Sequence, residues 1–229
     1  MEWLHGLLDF VLPPLCPGCA AYLDGPGAVC DDCLESIEAF KHPLCLNCFT
    51  MLGNDRVCTA CGDDYLPLYA YGDYSSPLRD IIIQFKFKGV TSPARVFARL
   101  LYERFGGYID NKKARLLVPI PLHRHRESIR GYNQAALLAG QLAAPLNLSV
   151  ADDILYRTRS RQPQTKVRFE GRQANVAGVF QTMQETSSRS ACILVDDVVT
   201  TGSTLMEARR VLAAAGYDVV AAISIAHGV

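Results

Sequence analysis

The sequence predicts an α/β domain, a parallel sheet flanked by helices, with a small cysteine-rich domain ahead of it. Three observations carry that prediction. Apolar runs at residues 116–121 and 193–195 each lead through a polar turn toward a helical pattern, as in a parallel sheet covered on both faces. Eight of the nine cysteines fall between positions 16 and 61. The charge is also divided along the chain, although its formal total is zero. Residues 1–66 hold two basic side chains (Lys41, Arg56) against ten acidic ones, whereas residues 112–172 hold twelve basic against four acidic. The basic stretch is a candidate site for phosphate-bearing ligands. At 229 residues, 49% of them hydrophobic, the chain suffices for one ordinary domain and a small appendage. The expected division is 1–66 and 67–229.

Residues 1–12 place Trp3, Leu4, Leu7, Leu8 and Val11 at helical spacing. They also carry Glu2 and Asp9 and lack a basic leading region, so they read as a short docking helix rather than a targeting segment. No run approaches the roughly 18 apolar residues needed to span a bilayer, and the expected location is the cytoplasm, without membrane insertion.

The eight clustered cysteines form four Cys-x-x-Cys pairs: Cys16/Cys19, Cys30/Cys33, Cys45/Cys48 and Cys58/Cys61. Two residues between cysteines let both thiolates turn toward one tetrahedral metal, and two such turns complete a four-cysteine zinc site. Four pairs therefore predict two structural zinc ions. The simplest pairing is sequential, Cys16, Cys19, Cys30 and Cys33 on one ion and Cys45, Cys48, Cys58 and Cys61 on the other; an interleaved cross-brace has compatible spacing. A disulfide framework needs an oxidising compartment, to which nothing in the sequence points, and an iron–sulfur cluster also accepts four thiolates. Structural zinc is the preferred reading. The segment is too short and acidic to hold a core unaided, so metal binding supplies most of its folding free energy. Cys192 stands alone at the head of an apolar strand and reads as a core residue.

Next in order, residues 116–121 (L-L-V-P-I-P) read as a buried strand that runs into His123, Arg124, His125, Arg126 and Arg130-Gly131-Tyr132-Asn133-Gln134, then a helix to about Ala144. Residues 157–175 are rich in Arg, Lys, Gln and Thr with few apolar anchors, the composition of a mobile loop. Earlier in the chain, Lys86-Phe87-Lys88-Gly89 follows the apolar residues 81–83 and reads as a helix end, although it has the reach to meet a phosphate.

The most informative stretch is 193–205, I-L-V-D-D-V-V-T-T-G-S-T-L. Its apolar run is a buried strand, and Asp196 and Asp197 sit at the carboxyl end, where open α/β sheets bind ligands. Thr200, Thr201, Gly202, Ser203 and Thr204 then make a hydroxyl-rich turn into a helix over 205–215. Such a turn offers free backbone amides and the positive helix end to a phosphate. Neither a dinucleotide G-x-G-x-x-G nor a Walker A motif is present.

This string resembles the phosphoribosyl-pyrophosphate (PRPP) motif of type I phosphoribosyltransferases. The resemblance implies a sheet of that type. It also implies that Asp196 and Asp197 hold the ribose 2- and 3-hydroxyls, near where oxocarbenium charge develops, as the candidate catalytic pair. Thr200, Thr201, Gly202, Ser203 and Thr204 would cradle the 5-phosphate, and Mg2+ would accompany PRPP. In that family a pyrophosphate loop follows the first core strand and a flexible loop closes over the site; the two basic segments stand in that order. His123, Arg130 and Arg172 become candidate phosphate or nucleic-acid contacts.

With the cysteine block, Pro119-Ile120-Pro121-Leu122-His123, Arg130 to Gln134, Gln164-Thr165-Lys166-Val167, Arg172 and Asn175, the likeness sharpens to the ComF family of competence proteins. That resemblance implies a role in natural transformation, moving single-stranded DNA beside a helicase partner. Tyr132, Tyr156 and Phe169 are available for base stacking. The zinc domain is acidic and so is expected to dock the protein partner; removing residues 1–66 should abolish that docking and leave DNA affinity largely intact. The alternative is an active transferase that moves phosphoribose from PRPP to a base or amine.

Overall fold

The computed structural model describes residues 14–23, 28–87, 89–109, 113–158, 178–182, 186 and 190–228, without the side chains of 124 and 125. The docking helix expected over 1–12, Arg172, Phe169 and most of the 157–175 segment lie outside these residues.

Six strands form the main sheet in the order β1 (Leu44–Cys45), β2 (Pro67–Asp73), β8 (Asp218–His227), β7 (Ala191–Val199), β3 (Leu116–Pro119), β4 (Ser149–Val150). All neighbours are parallel except β1, which runs antiparallel to β2 with Leu44 opposite Leu68. A separate antiparallel pair joins β5 (Leu155–Arg157) and β6 (Phe180–Thr182). Strand β7 has the apolar character that predicts burial on both faces, and it alternates between two cores. Ile193 and Val195 pack with α2 (Leu78–Phe87), α3 (Pro93–Phe105) and α5 (Gln134–Leu146), through Ile81, Phe85, Phe97, Leu101 and Leu138. Cys192 and Leu194 face the other way, toward Leu205, Ala208 and Leu212 of α6 (Ser203–Ala214) and toward Leu155 and Phe180 of the small sheet. Cys192 is fully buried, as its position predicted.

Both connections that leave the sheet's centre are set by local chemistry. Asn133 caps α5, its side chain accepting from the Ala135 N–H at 3.0 Å, and Asn147 ends it in the left-handed conformation. Gly202, at φ 70°, turns β7 into α6. From β3 the chain passes through α4 (Arg124–Arg130) and α5 outward to β4. From β7 it passes through α6 to β8 on the opposite side. The crevice between β3 and β7 is therefore the topological switch point, where open α/β sheets bind ligands.

The two cysteine clusters straddle the β1–β2 edge. The first ribbon, with the short helix α1 (Asp31–Glu35), lays Cys16, Val29, Cys33 and Ile37 into the core that holds α2. The second lays Leu44, Leu46 and Leu66 into the core that holds α6. Among the described residues, no helix is long and apolar enough to cross a membrane.

Candidate functional site

Asp196 and Asp197 lie near the carboxyl end of β7, beside the switch point. Asp197 is 8% exposed, and its carboxylate meets Lys86 Nζ, from the last turn of α2, at 2.9 Å. The Asp197 N–H donates to Asp196 Oδ1 at 2.8 Å. Burial, and then the neighbouring Asp197 carboxylate, push Asp196 up to about 7; the Asp197 N–H, Lys86 and Arg157 act in the opposite direction. The acidic pair is thus held against its own repulsion by cations from two distant parts of the chain.

Directly after it, Thr200, Thr201, Gly202, Ser203 and Thr204 line a cup closed by Asp196, Val198, Val199 and Leu205. The Met206 N–H bonds the Gly202 carbonyl at 2.9 Å, so the amides of Ser203, Thr204 and Leu205 precede the helical ladder and face the cup end. Thr201 Oγ1 and Ser203 Oγ are hydrogen-bonded at 2.9 Å. Hydroxyls, leading amides and a helix terminus together can hold a phosphate dianion. Gly202 is required here twice over: its φ is left-handed, and a Cβ would come within 3.2 Å of the Leu46 Cδ1 and carbonyl and 3.3 Å of Phe49 Cζ. Gly202→Ala is expected to cost about 1–2 kcal/mol, read as a lower melting temperature; an unchanged value would mean that the ribbon yields freely to the methyl group.

The Arg130-Gly131-Tyr132-Asn133-Gln134 motif is a clamp. Tyr132 Oη donates to the Phe85 carbonyl at 2.6 Å and the fully buried Gln134 Nε2 donates to the same oxygen at 3.3 Å. Asn133 Nδ2 donates to the Ile120 carbonyl at 3.0 Å. The motif so joins the ends of α2, β3 and α5, and fixes the backbone next to Lys86. Arg130 ends α4, donates to Gln134 Oε1 at 3.2 Å and lies over the Phe87 ring. His123 precedes α4, its carbonyl accepting from Arg126 and Glu127. Tyr132, expected to stack on bases, is instead partly buried and committed to Phe85; Tyr156 stays 40% exposed.

Residue 157, expected to open a loop, is in a strand: Arg157 lies over Phe180 and close enough to Asp196 to act on its charge. Thr158 Oγ1 donates to the Gly178 carbonyl at 3.1 Å. The Gly178 N–H donates to Glu207 Oε1 on α6 at 2.7 Å.

The cysteine clusters are sequential: Cys16, Cys19, Cys30 and Cys33 form one and Cys45, Cys48, Cys58 and Cys61 the other, with all sulfurs of each within 4.8 Å. Neighbouring sulfurs lie at 3.6 Å (Cys19–Cys30), 3.7 Å (Cys45–Cys61) and 3.5 Å (Cys48–Cys58). A tetrahedron with zinc–sulfur bonds near 2.3 Å has edges of about 3.8 Å, so the spacing fits zinc and is far too long for disulfides. In the second cluster the Thr50 hydroxyl and N–H bring Cys48 down to about 6, while Cys48 as neighbour pushes Cys61 up to about 12.

Comparison with known proteins agrees with this geometry. Residues 7–62 match the double zinc ribbon domain and residues 131–228 the phosphoribosyl transferase domain. Competence protein F of Haemophilus influenzae is 30% identical over 213 residues, covering 82% of this chain and 92% of that one. The chain belongs to the ComF family. Other members are similar at the same level. Competence protein ComFC of Bacillus subtilis is 29% identical over 80% of this chain and 77% of its own. The DNA utilization protein YhgH of Escherichia coli is 29% identical over 88% and 91%. In this ComF protein, Lys86, which the sequence offered as a helix end or a phosphate contact, and Arg157, read as the start of a loop, are the cations brought to the acidic pair.

Proposed function

We propose that this ComF protein binds PRPP as its magnesium complex at the switch-point crevice and serves in the handling of single-stranded DNA during uptake. The observation that supports the reading most is the acidic pair at the end of β7, buttressed by Lys86, directly beside the hydroxyl- and amide-lined cup of α6. Asp196 and Asp197 take the ribose 2- and 3-hydroxyls, and Thr200, Thr201, Gly202, Ser203 and Thr204 take the 5-phosphate. Mg2+ offsets pyrophosphate charge. His123, Arg130 and Arg172 are the further phosphate contacts of this reading. The names of the relatives support the DNA role. The basic stretch of the chain and exposed Tyr156 offer backbone and base contacts. Residues 1–66 serve as the docking side for a helicase-type partner and 67–229 as the PRPP side, both in the cytoplasm. The phosphoribosyl transferase match favours, as a second reading, transfer of phosphoribose to a base or amine from the same bound state.

Calorimetric titration of Mg-PRPP tests the shared step. Micromolar binding by the zinc-loaded chain, lost in Asp196→Asn/Asp197→Asn, is the expected result. Absence of binding by the well-folded wild type would overturn the site.

A further inference from the structure

Both ribbons begin with the same turn and finish it with different residues. In the first, Ala20 follows Cys19 at φ 60°, its N–H bonding the Cys16 carbonyl at 2.8 Å. In the second, Phe49 follows Cys48 at φ 59°, its N–H bonding the Cys45 carbonyl at 2.7 Å. The left-handed region disfavours a bulky side chain, so the turn by itself gives no reason for a phenylalanine. Its ring reaches the phosphate loop. It stacks on His227 with centroids 4.1 Å apart, and His227 Nδ1 lies 3.0 Å from the carbonyl of Val199, the residue before Thr200. The tip of the ring and Leu46 together fill the space where a Gly202 side chain would go. At the third point of contact, Asn47 holds the Asp64 carbonyl at 2.8 Å and the Asp64 carboxylate meets Arg209 of α6 at 3.2 Å. The second ribbon therefore meets the phosphate loop at Gly202, reaches the residue before the loop through His227, and pairs with α6 beyond it.

We infer that Leu46 and Phe49 are positioning residues for the phosphate loop, so that metal closure of the Cys45, Cys48, Cys58 and Cys61 ribbon sets the affinity of the cup for a phosphorylated ribose. The inference rests on the PRPP reading above. The amides and hydroxyls of the cup bind well only if residues 200–204 hold one conformation, and a glycine at the centre leaves that conformation weakly specified from within. The ring and the leucine specify it from outside, so the ordering is done before the ligand arrives. Opening the ribbon releases the strained turn and withdraws the ring. Linkage then requires that PRPP favour retention of metal by the second ribbon by the same factor. The first ribbon has no such part, because its Gly18 faces Ile81 of α2.

The test uses the full chain loaded with two equivalents of zinc. Phe49→Ala is expected to bind Mg-PRPP about tenfold more weakly with its zinc content unchanged, and Phe49→Tyr to restore affinity. In equilibrium extraction with a zinc-selective chromogenic chelator, saturating Mg-PRPP should protect one of the two ions in the wild type and neither in Phe49→Ala. If Phe49→Ala fails to fold, the wild-type extraction decides alone. Equal PRPP affinity of wild type and a zinc-replete Phe49→Ala, or equal loss of both ions with and without PRPP, would overturn the inference alone. A wild type that binds no PRPP overturns the underlying reading and the inference together.

Discussion

Asparagine at position 196 is expected to make the protein more stable at about pH 8 while removing the hold on the ribose of PRPP proposed for that residue. Desolvation and the neighbouring Asp197 carboxylate push the folded Asp196 carboxyl up to about 7, whereas an unfolded aspartate titrates near 3.9. Between those values the folded chain keeps a proton that the unfolded chain has released. Stability therefore falls as pH rises through that window and levels off above it. Asparagine has no charge to lose, and its amide oxygen can still accept the Asp197 N–H now bonded at 2.8 Å. The advantage of Asp196→Asn over wild type should widen from about pH 4 to about pH 7 and then stay constant. Discounted because Asp196 is only half-buried, the gain is on the order of 2 kcal/mol, or about 4–8 °C for a chain of this size. Melting curves across that range check it; a flat difference would mean that the two cations already neutralise the penalty. A residue that lowers stability and is present all the same is what a binding site predicts.

Removal of residues 1–66 is expected to unfold the remainder rather than separate a docking module from a binding module. On sequence grounds the same deletion was expected to spare DNA affinity; burial argues otherwise. Leu44, Leu46 and Leu66 are 4%, 1% and 2% exposed and share a core with Leu194 and Leu205, while Val29 and Ile37, at 5% and 8%, share the opposite core with Ile81 and Phe85. At about 1.5–3 kcal/mol each, these five side chains approach the roughly 5–15 kcal/mol that stabilises a whole domain. Circular-dichroism melting and dye binding of a 67–229 fragment check this. A soluble, cooperatively melting fragment with the full chain's PRPP affinity would show that the ribbons are dispensable to the fold.

What was legible in the sequence was local. The run from Ile193 to Leu205 displays strand, acidic pair, turn and helix start within thirteen residues, so each part announces the next. The four cysteine pairs likewise announce four-thiolate chemistry by spacing, although only the folded chain distinguishes sequential from interleaved clusters. Lys86 was legible as a helix end within reach of a phosphate, but its pairing with Asp197 was not, because nothing near position 86 refers to position 197. The same holds for Phe49 against Gly202 and for Arg157 against Asp196. Tyr132, available in the sequence for base stacking, and Gln134 are both spent on one backbone carbonyl of α2, which nothing near them in the sequence announces. A short strand such as β5 hides in a polar stretch because its three residues carry only one buried apolar side chain, Leu155.

The two rims of the main sheet have a consequence for how this protein can meet others. β1 and β4 are each two residues long, and Leu44 is bridged on its outer side to Met51 of its own ribbon. A rim so short gives an incoming extended segment almost no ladder to join, so lengthening of the sheet by a partner's strand or by a second copy is closed off. Nucleic acid and protein alike must approach across helix faces or strand ends, and the strand ends on one side are where the acidic pair and the cup already sit.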